Sequence, residues 1–110
     1  MSDACRASDA LTRVFALLGK RWTGLILGTL TEYGPAHFAE LRRGIRGISE
    51  RILSDRLTEL AEAGLVVREV EHGPPVGVRY RLTGAGRGLG PALAELARWA
   101  EEHLPADPGA

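Results

Sequence analysis

Five arginines stand between positions 42 and 56 (Arg42, Arg43, Arg46, Arg51 and Arg56), against two acids, Glu50 and Asp55. A guanidinium is a planar fork of donors that matches phosphate oxygens and the O6/N7 edge of guanine. Glu50 and Asp55 could accept from the amino group of cytosine, and the hydroxyls of Ser49 and Ser54 can meet any base edge. His37 lies upstream of this run, and Arg79 and Arg81 lie downstream. Together these twelve side chains form a candidate set for contacts to double-stranded DNA. Arg51 is the candidate base reader, and Arg42, Arg43 and Arg46 are more generic phosphate candidates. Each has a plainer reading: a solvated polar helix face for the segment around Arg51, and edge-blunting strand charges for Arg79 and Arg81.

Other chemistry is sparse. The single cysteine, Cys5, sits beside Arg6. A neighbouring cation favours the thiolate and hence reactivity towards oxidants; the alternative is an inert thiol on an N-terminal helix. One cysteine allows no intrachain disulfide. The histidines 37, 72 and 103 fall on different elements, and His37 with Glu40 supplies two ligands where zinc needs more. The glycine run Gly84 to Gly90 looks like a phosphate loop, but Leu89 occupies the position where the dinucleotide pattern requires glycine, and no P-loop lysine follows. No nucleophile stands with a base and a supporting acid. No enzyme, no metal and no cofactor is expected.

The elements that must position the arginines follow from periodicity. Ser8 or Asp9 caps a helix to about Leu18, with Leu11, Val14, Phe15 and Leu18 three and four apart and Gly19 as its stop. A second helix runs from about Arg21 to Thr31, with Trp22, Ile26, Leu27 and Leu30 inward. Tyr33-Gly34-Pro35 ends it. A short helix spans about His37 to Arg43, with Phe38 and Leu41 inward. Gly44 and Gly47 bracket a tight turn, anchored by Ile45 and Ile48. Ser49 then caps a helix from Glu50 to Ala63, ended by Gly64, with Leu53, Leu57 and Leu60 as its apolar stripe. Glu50, Arg51, Ser54, Asp55 and Thr58 fall on the opposite face. Two helices joined by a short glycine turn, the second with a polar face, are the helix-turn-helix pattern.

Leu65 to Glu71 and Gly77 to Thr83 read as strands around the turn His72-Gly73-Pro74-Pro75, with Val78, Tyr80 and Leu82 on one face and Arg79 and Arg81 on the other. Thr83 caps a last helical region reaching about Leu104. Its glycine-rich start and Pro91 predict a frayed or kinked beginning and regular helix from about Pro91. Leu93, Leu96, Ala97, Ala100 and Leu104 make its apolar stripe, with Trp99 at the edge.

At 110 residues, 45% hydrophobic and 25% charged, the chain is expected to be one globular domain. No apolar stretch approaches the length that spans a bilayer, and the N-terminus lacks a secretory pattern, so a cytoplasmic location is the expectation. Net charge is zero, which weighs against nucleic-acid binding by the chain as a whole, but the 42–56 segment is locally basic.

Certain pieces recur in order: Cys5, Gly19-Lys20-Arg21-Trp22 leading into Ile26-Leu27, Phe38-x-Glu40-Leu41, Ile48-Ser49-x-Arg51-x-Leu53 and Arg56-Leu57-x-x-Leu60. Gly64-Leu65-Val66, Pro75, Val78-x-Tyr80-x-Leu82-Thr83, Gly86 and Trp99 follow. On this ordered set the chain resembles the HxlR family of winged helix-turn-helix regulators, related to the MarR type. The resemblance implies a mainly α fold with a small β-hairpin, and a homodimer held by its first and last helices. Each subunit would place a recognition helix in the major groove of a pseudo-palindromic operator. In that frame, residues 8–19 form an N-terminal dimer helix, 20–83 the winged body, 84–104 a C-terminal dimer helix and 105–110 a loose tail. The expected dimer contacts are Leu11, Val14, Phe15, Leu18, Leu93, Leu96, Trp99 and Ala100. Several members of the family use an N-terminal cysteine as a sensor, which makes Cys5 a redox candidate. Phe15, Trp22 and Trp99 could line a pocket for a small-molecule effector, or be plain core. The sequence departs from the family pattern at Arg6, His37 and Arg79, where proline, a basic residue and an acid are usual. A second class of function fits the same residues: a winged helix used for protein or small-molecule contacts without specific DNA binding. Zero net charge and the acids Glu50 and Asp55 on the reading face keep that alternative open.

Overall fold

The Ser8 hydroxyl accepts from the Leu11 N–H (3.1 Å) and opens helix α1 (Asp9–Leu18) in the computed structural model, which describes residues 5–106. None of the residues of α1 is buried. Helix α2 (Thr23–Tyr33) carries the centre of the core with Ile26, Leu27 and Leu30. It starts and ends two residues later than the spacing predicts, because Trp22 breaks the chain direction with a left-handed backbone, φ +82°. A bulky residue rarely adopts that conformation.

A strand of only two residues follows, β1 (Ala36–His37), and then α3 (Phe38–Gly44). The turn to α4 (Glu50–Glu62) buries Ile45 and Ile48 as expected. Gly47 has φ +90°, which the turn requires and which glycine supplies without steric cost. Strands β2 (Val66–Glu71) and β3 (Gly77–Leu82) pair antiparallel, with Val66 opposite Leu82 and Arg68 opposite Tyr80. β1 pairs with the free side of β3, giving the order β1-β3-β2. The expected hairpin is therefore a three-stranded sheet.

Thr83 caps α5 (Gly84–Gly88) as expected, its hydroxyl accepting from Gly86 N–H (3.1 Å). The chain then breaks at Leu89 before α6 (Gly90–His103), which has Pro91 in its first turn. The glycine-rich stretch is thus a separate short helix. Gly86 passes so close to the residue before β2 that an added Cβ would overlap the Leu65 carbonyl oxygen.

The core joins α2, α3, α4 and the base of the sheet through Ile26, Leu27, Leu30, Leu41, Leu53, Leu57, Leu60, Val66 and Leu82. The radius of gyration is 16.4 Å, against ~13 Å for a compact chain of this length. No helix is long and apolar enough to cross a membrane among the described residues. Of the expected tail 105–110, residues 107–110 lie outside the described residues.

Candidate nucleic-acid interface

The candidate reading helix is α4. The Ser49 hydroxyl accepts from the Ile52 N–H (3.1 Å), so the helix begins where the capping signal puts it. Leu53, Leu57 and Leu60 are fully buried, which fixes the rotation of the helix and turns Glu50, Arg51, Ser54, Asp55 and Thr58 to solvent. Arg43, Arg46 and Arg51 are exposed and make no ion pair among the described residues. Arg42 is exposed too, but its Nη1 lies 2.8 Å from Glu50 Oε1, tying α3 to the first turn of α4.

Arg56, expected to contact DNA, is engaged within the chain. Its Nε donates to the Arg21 carbonyl (3.1 Å) and its Nη1 lies 3.4 Å from Glu59 Oε1. It faces the α1–α2 junction. Lys20 reaches the same carboxylate (2.8 Å), which holds the Glu59 carboxyl below its ordinary pKa. The Trp22 ring, with the Arg21 guanidinium 4.5 Å from its centroid, packs beside Gly47. The segment Lys20-Arg21-Trp22 therefore braces both the turn and the back of α4.

On the wing, alternation fixes two faces. Arg68, Val78 and Tyr80 face α4 across an open groove of about 800 Å³, whose other wall carries Arg51, Ser54 and Thr58. Arg68 is exposed and has no ion-pair partner among the described residues. Periodicity alone does not single it out. Arg79 and Arg81, which it does single out, occupy the opposite face and are engaged: Arg79 Nη1 lies 3.5 Å from Glu71 Oε2, and Arg81 Nε 2.9 Å from Glu69 Oε2.

His37 links the two parts. It is the residue before α3 and the partner of Arg79 in the β1–β3 ladder. Its Nδ1 lies 3.0 Å from Glu40 Oε1 and its Nε2 2.7 Å from Glu71 Oε1. The same Glu40 oxygen accepts the His37 backbone N–H (2.8 Å), and its other oxygen accepts the Tyr33 hydroxyl (2.7 Å). The backbone N–H, the Tyr33 hydroxyl and the imidazole together lower the Glu40 carboxyl to about 2. Glu40 in turn raises the Tyr33 hydroxyl. Hydrogen bonds to Glu71 and then Glu40 raise the His37 imidazole above its ordinary value.

The flanking helices leave apolar surface uncovered. Leu11, Phe15, Leu96 and Trp99 are each more than half exposed, and Val14, Leu18, Leu93 and Ala100 are half-buried. Trp99 stacks on His103 with ring centroids 5.2 Å apart. An open groove of about 610 Å³ lies between α2 and α6, lined by Trp22, Leu25, Gly28, Leu93 and Ala97. Of the three aromatic residues expected around an effector, Trp22 lines it; Phe15 and Trp99 do not, and their exposure also removes them from the monomer core. Cys5 is exposed and free.

Residues 17–108 match the family model described as HxlR-like helix-turn-helix. The chain belongs to the HxlR family. Two HTH-type transcriptional regulators of Bacillus subtilis are similar to this HxlR chain over 88 residues. YvaP is 41% identical, over 80% of this chain and 81% of its own length, and YodB is 42% identical, over 80% and 78%. The solved structure of the reduced form of YodB superposes with a TM-score of 0.78 at 36% identity, covering 93% of this chain and 99% of that one. The redox regulator HypR in its reduced form gives 0.79 at 32%, covering 88% and 95%. This HxlR chain is a winged helix-turn-helix transcriptional regulator, and DNA binding comes with that class.

Proposed function

We propose that the protein is a cytoplasmic homodimer that binds a pseudo-palindromic operator, each subunit laying the N-terminal half of α4 in the major groove. The observation that carries this reading is the exposed face of α4. Among the described residues, Arg51 stands there with no carboxylate on it, with Arg43 and Arg46 unpaired nearby and Arg68 across the groove. Arg51, Ser54 and Asp55 are assigned to base edges. Ser49, Arg42, Arg43, Arg46 and Arg68 are assigned to the phosphate backbone. Arg79 and Arg81 would have to leave their carboxylates to join them. The exposed apolar stripes on α1 and α6 support the dimer, with 8–19 and 84–104 as its pairing segments. Sequence selection from random DNA at two salt concentrations tests the reading. A recovered inverted repeat with half-sites about one DNA turn apart supports it. Binding that is equal on every sequence, or absent at low salt, overturns it.

An oxidant-gated version of the same function is favoured by the exposed thiol of Cys5. It is also favoured by the likeness to HypR, which is called a redox regulator, and to YodB, whose structure is known after diamide treatment. Operator affinity of the wild type is expected to change on diamide treatment, and that of Cys5→Ser to stay constant. An equal response in both proteins removes Cys5 from regulation.

A further inference from the structure

The imidazole of His37 meets two carboxylates, one on each ring nitrogen: Glu40 of α3 at 3.0 Å and Glu71 of β2 at 2.7 Å. A neutral imidazole has one N–H, so one of these contacts would set a nitrogen lone pair against a carboxylate oxygen. Both contacts are attractive only for the imidazolium. The two carboxylates belong to different parts of the reading head. Glu40 sits in the first turn of α3, within the helix-turn-helix, whereas Glu71 ends the first strand of the wing. We propose that His37, as an imidazolium, is a positioning residue that clasps the wing to the helix-turn-helix, and that DNA affinity falls when it loses its proton.

The surroundings decide the sign. On the α2 side, Tyr33 donates its hydroxyl to Glu40 and stays neutral, while the Arg43 charge lies near enough to act on Tyr33. From α3, Glu40 is held as a carboxylate by three donors. From β2, Glu71 is shared between His37 and Arg79 of β3, the one cation among the described residues that competes for it. Gly77 of β3 lies beside the pair and adds no side chain between them. Two anions against one competing cation leave the imidazolium favoured, in agreement with the raised His37 value. The clasp is therefore complete below the ordinary histidine pKa of about 6.5. It is lost as pH rises through the raised folded value, with Glu40 ionised throughout that window. The consequence for DNA rests on the function proposed above; the clasp itself can be read in the free protein.

The test uses the full chain from about pH 6 to about pH 9 at fixed ionic strength, across the range where a raised histidine titrates. Three things are measured: the NMR titration of His37, amide exchange along the β1–β3 ladder, and affinity for the selected operator. In the wild type, His37 should titrate above its ordinary value. Ladder protection and affinity should both fall, affinity several-fold, through that same titration. Glu71→Gln should lower the His37 midpoint and flatten both profiles. His37→Gln should remove the pH dependence, and His72→Gln should leave it intact. If His37→Gln unfolds, Glu71→Gln carries the test alone. A wild-type midpoint at or below the ordinary value overturns the clasp. So does a full affinity profile in Glu71→Gln, which would make His37 a plain phosphate contact. A raised, Glu71-dependent midpoint with pH-dependent protection, but no DNA binding at any pH, supports the clasp and removes the operator reading instead.

Discussion

Arg51 and Arg68 stand on opposite walls of one groove, and neither guanidinium is committed to a carboxylate among the described residues. Arg81 has the same charge but is half-buried, and Glu69 holds it at 2.9 Å. An ion pair must be broken before such a group can neutralise a phosphate, so the free arginines contribute more. Arg51→Ala is expected to cost about 1–3 kcal/mol on the operator and to relax sequence choice; Arg68→Ala should weaken binding evenly and lower the salt slope by about 1. Arg81→Ala should change both less. Titrations on operator and random DNA at several salt concentrations check all three. Arg51 is legible in the sequence, because its face follows from the stripe Leu53, Leu57, Leu60 on its own helix. Arg68 is not, because its side is set by pairing with Tyr80, twelve residues away on another strand. The engagement of Arg56 is equally hidden: its acceptor, the Arg21 carbonyl, is 35 residues distant.

Among the elements, those with long periodicity or a capping side chain stand close to where the sequence puts them: α1 with Ser8, α4 with Ser49, α5 with Thr83. The misplaced boundaries have local causes. β1 is two residues long, too short for any alternation to declare it, and exists only because β3 offers an unpaired edge. The late start of α2 comes from the left-handed Trp22, which the packing of its ring beside Gly47 accompanies. Glycine in α5 looks like a weakness by helix propensity, yet Gly86 has a positive role. It lets α5 approach the chain at Leu65, where Thr83 N–H donates to the Leu65 carbonyl (3.0 Å) and the Thr83 hydroxyl to the Gly64 carbonyl (2.7 Å). Gly86→Ala must push this junction apart and is expected to lower stability by about 1–3 kcal/mol, the usual cost of overpacking. Gly88→Ala, with open space around it, should be neutral or stabilising through helix propensity. Chemical denaturation of the two variants separates these outcomes.

For the whole molecule, the relevant scale is the apolar surface that one chain leaves uncovered. Leu11 and Phe15 on α1 and Leu96 and Trp99 on α6 are each more than half exposed, which is more than isolated surface apolar residues require. A second copy covering them gives the dimer proposed above. Phe15→Glu is then expected to yield monomers with an intact winged body, because Phe15 contributes nothing to the buried core. Sedimentation reads the assembly, and far-UV circular dichroism reads the fold. Retained dimers in Phe15→Glu would place the pairing surface elsewhere.

The absence of any buried residue in α1 has a thermodynamic consequence. A helix of ten residues is marginal on its own in water, so its order depends on what packs against it. If that is another copy of the chain, folding of α1 and association are one equilibrium, and the unfolding midpoint rises with the amount of protein present. Dilution would then act as a mild denaturant on α1 while leaving the winged body folded. The number of copies in a cell would set how much of the regulator holds its first helix in place.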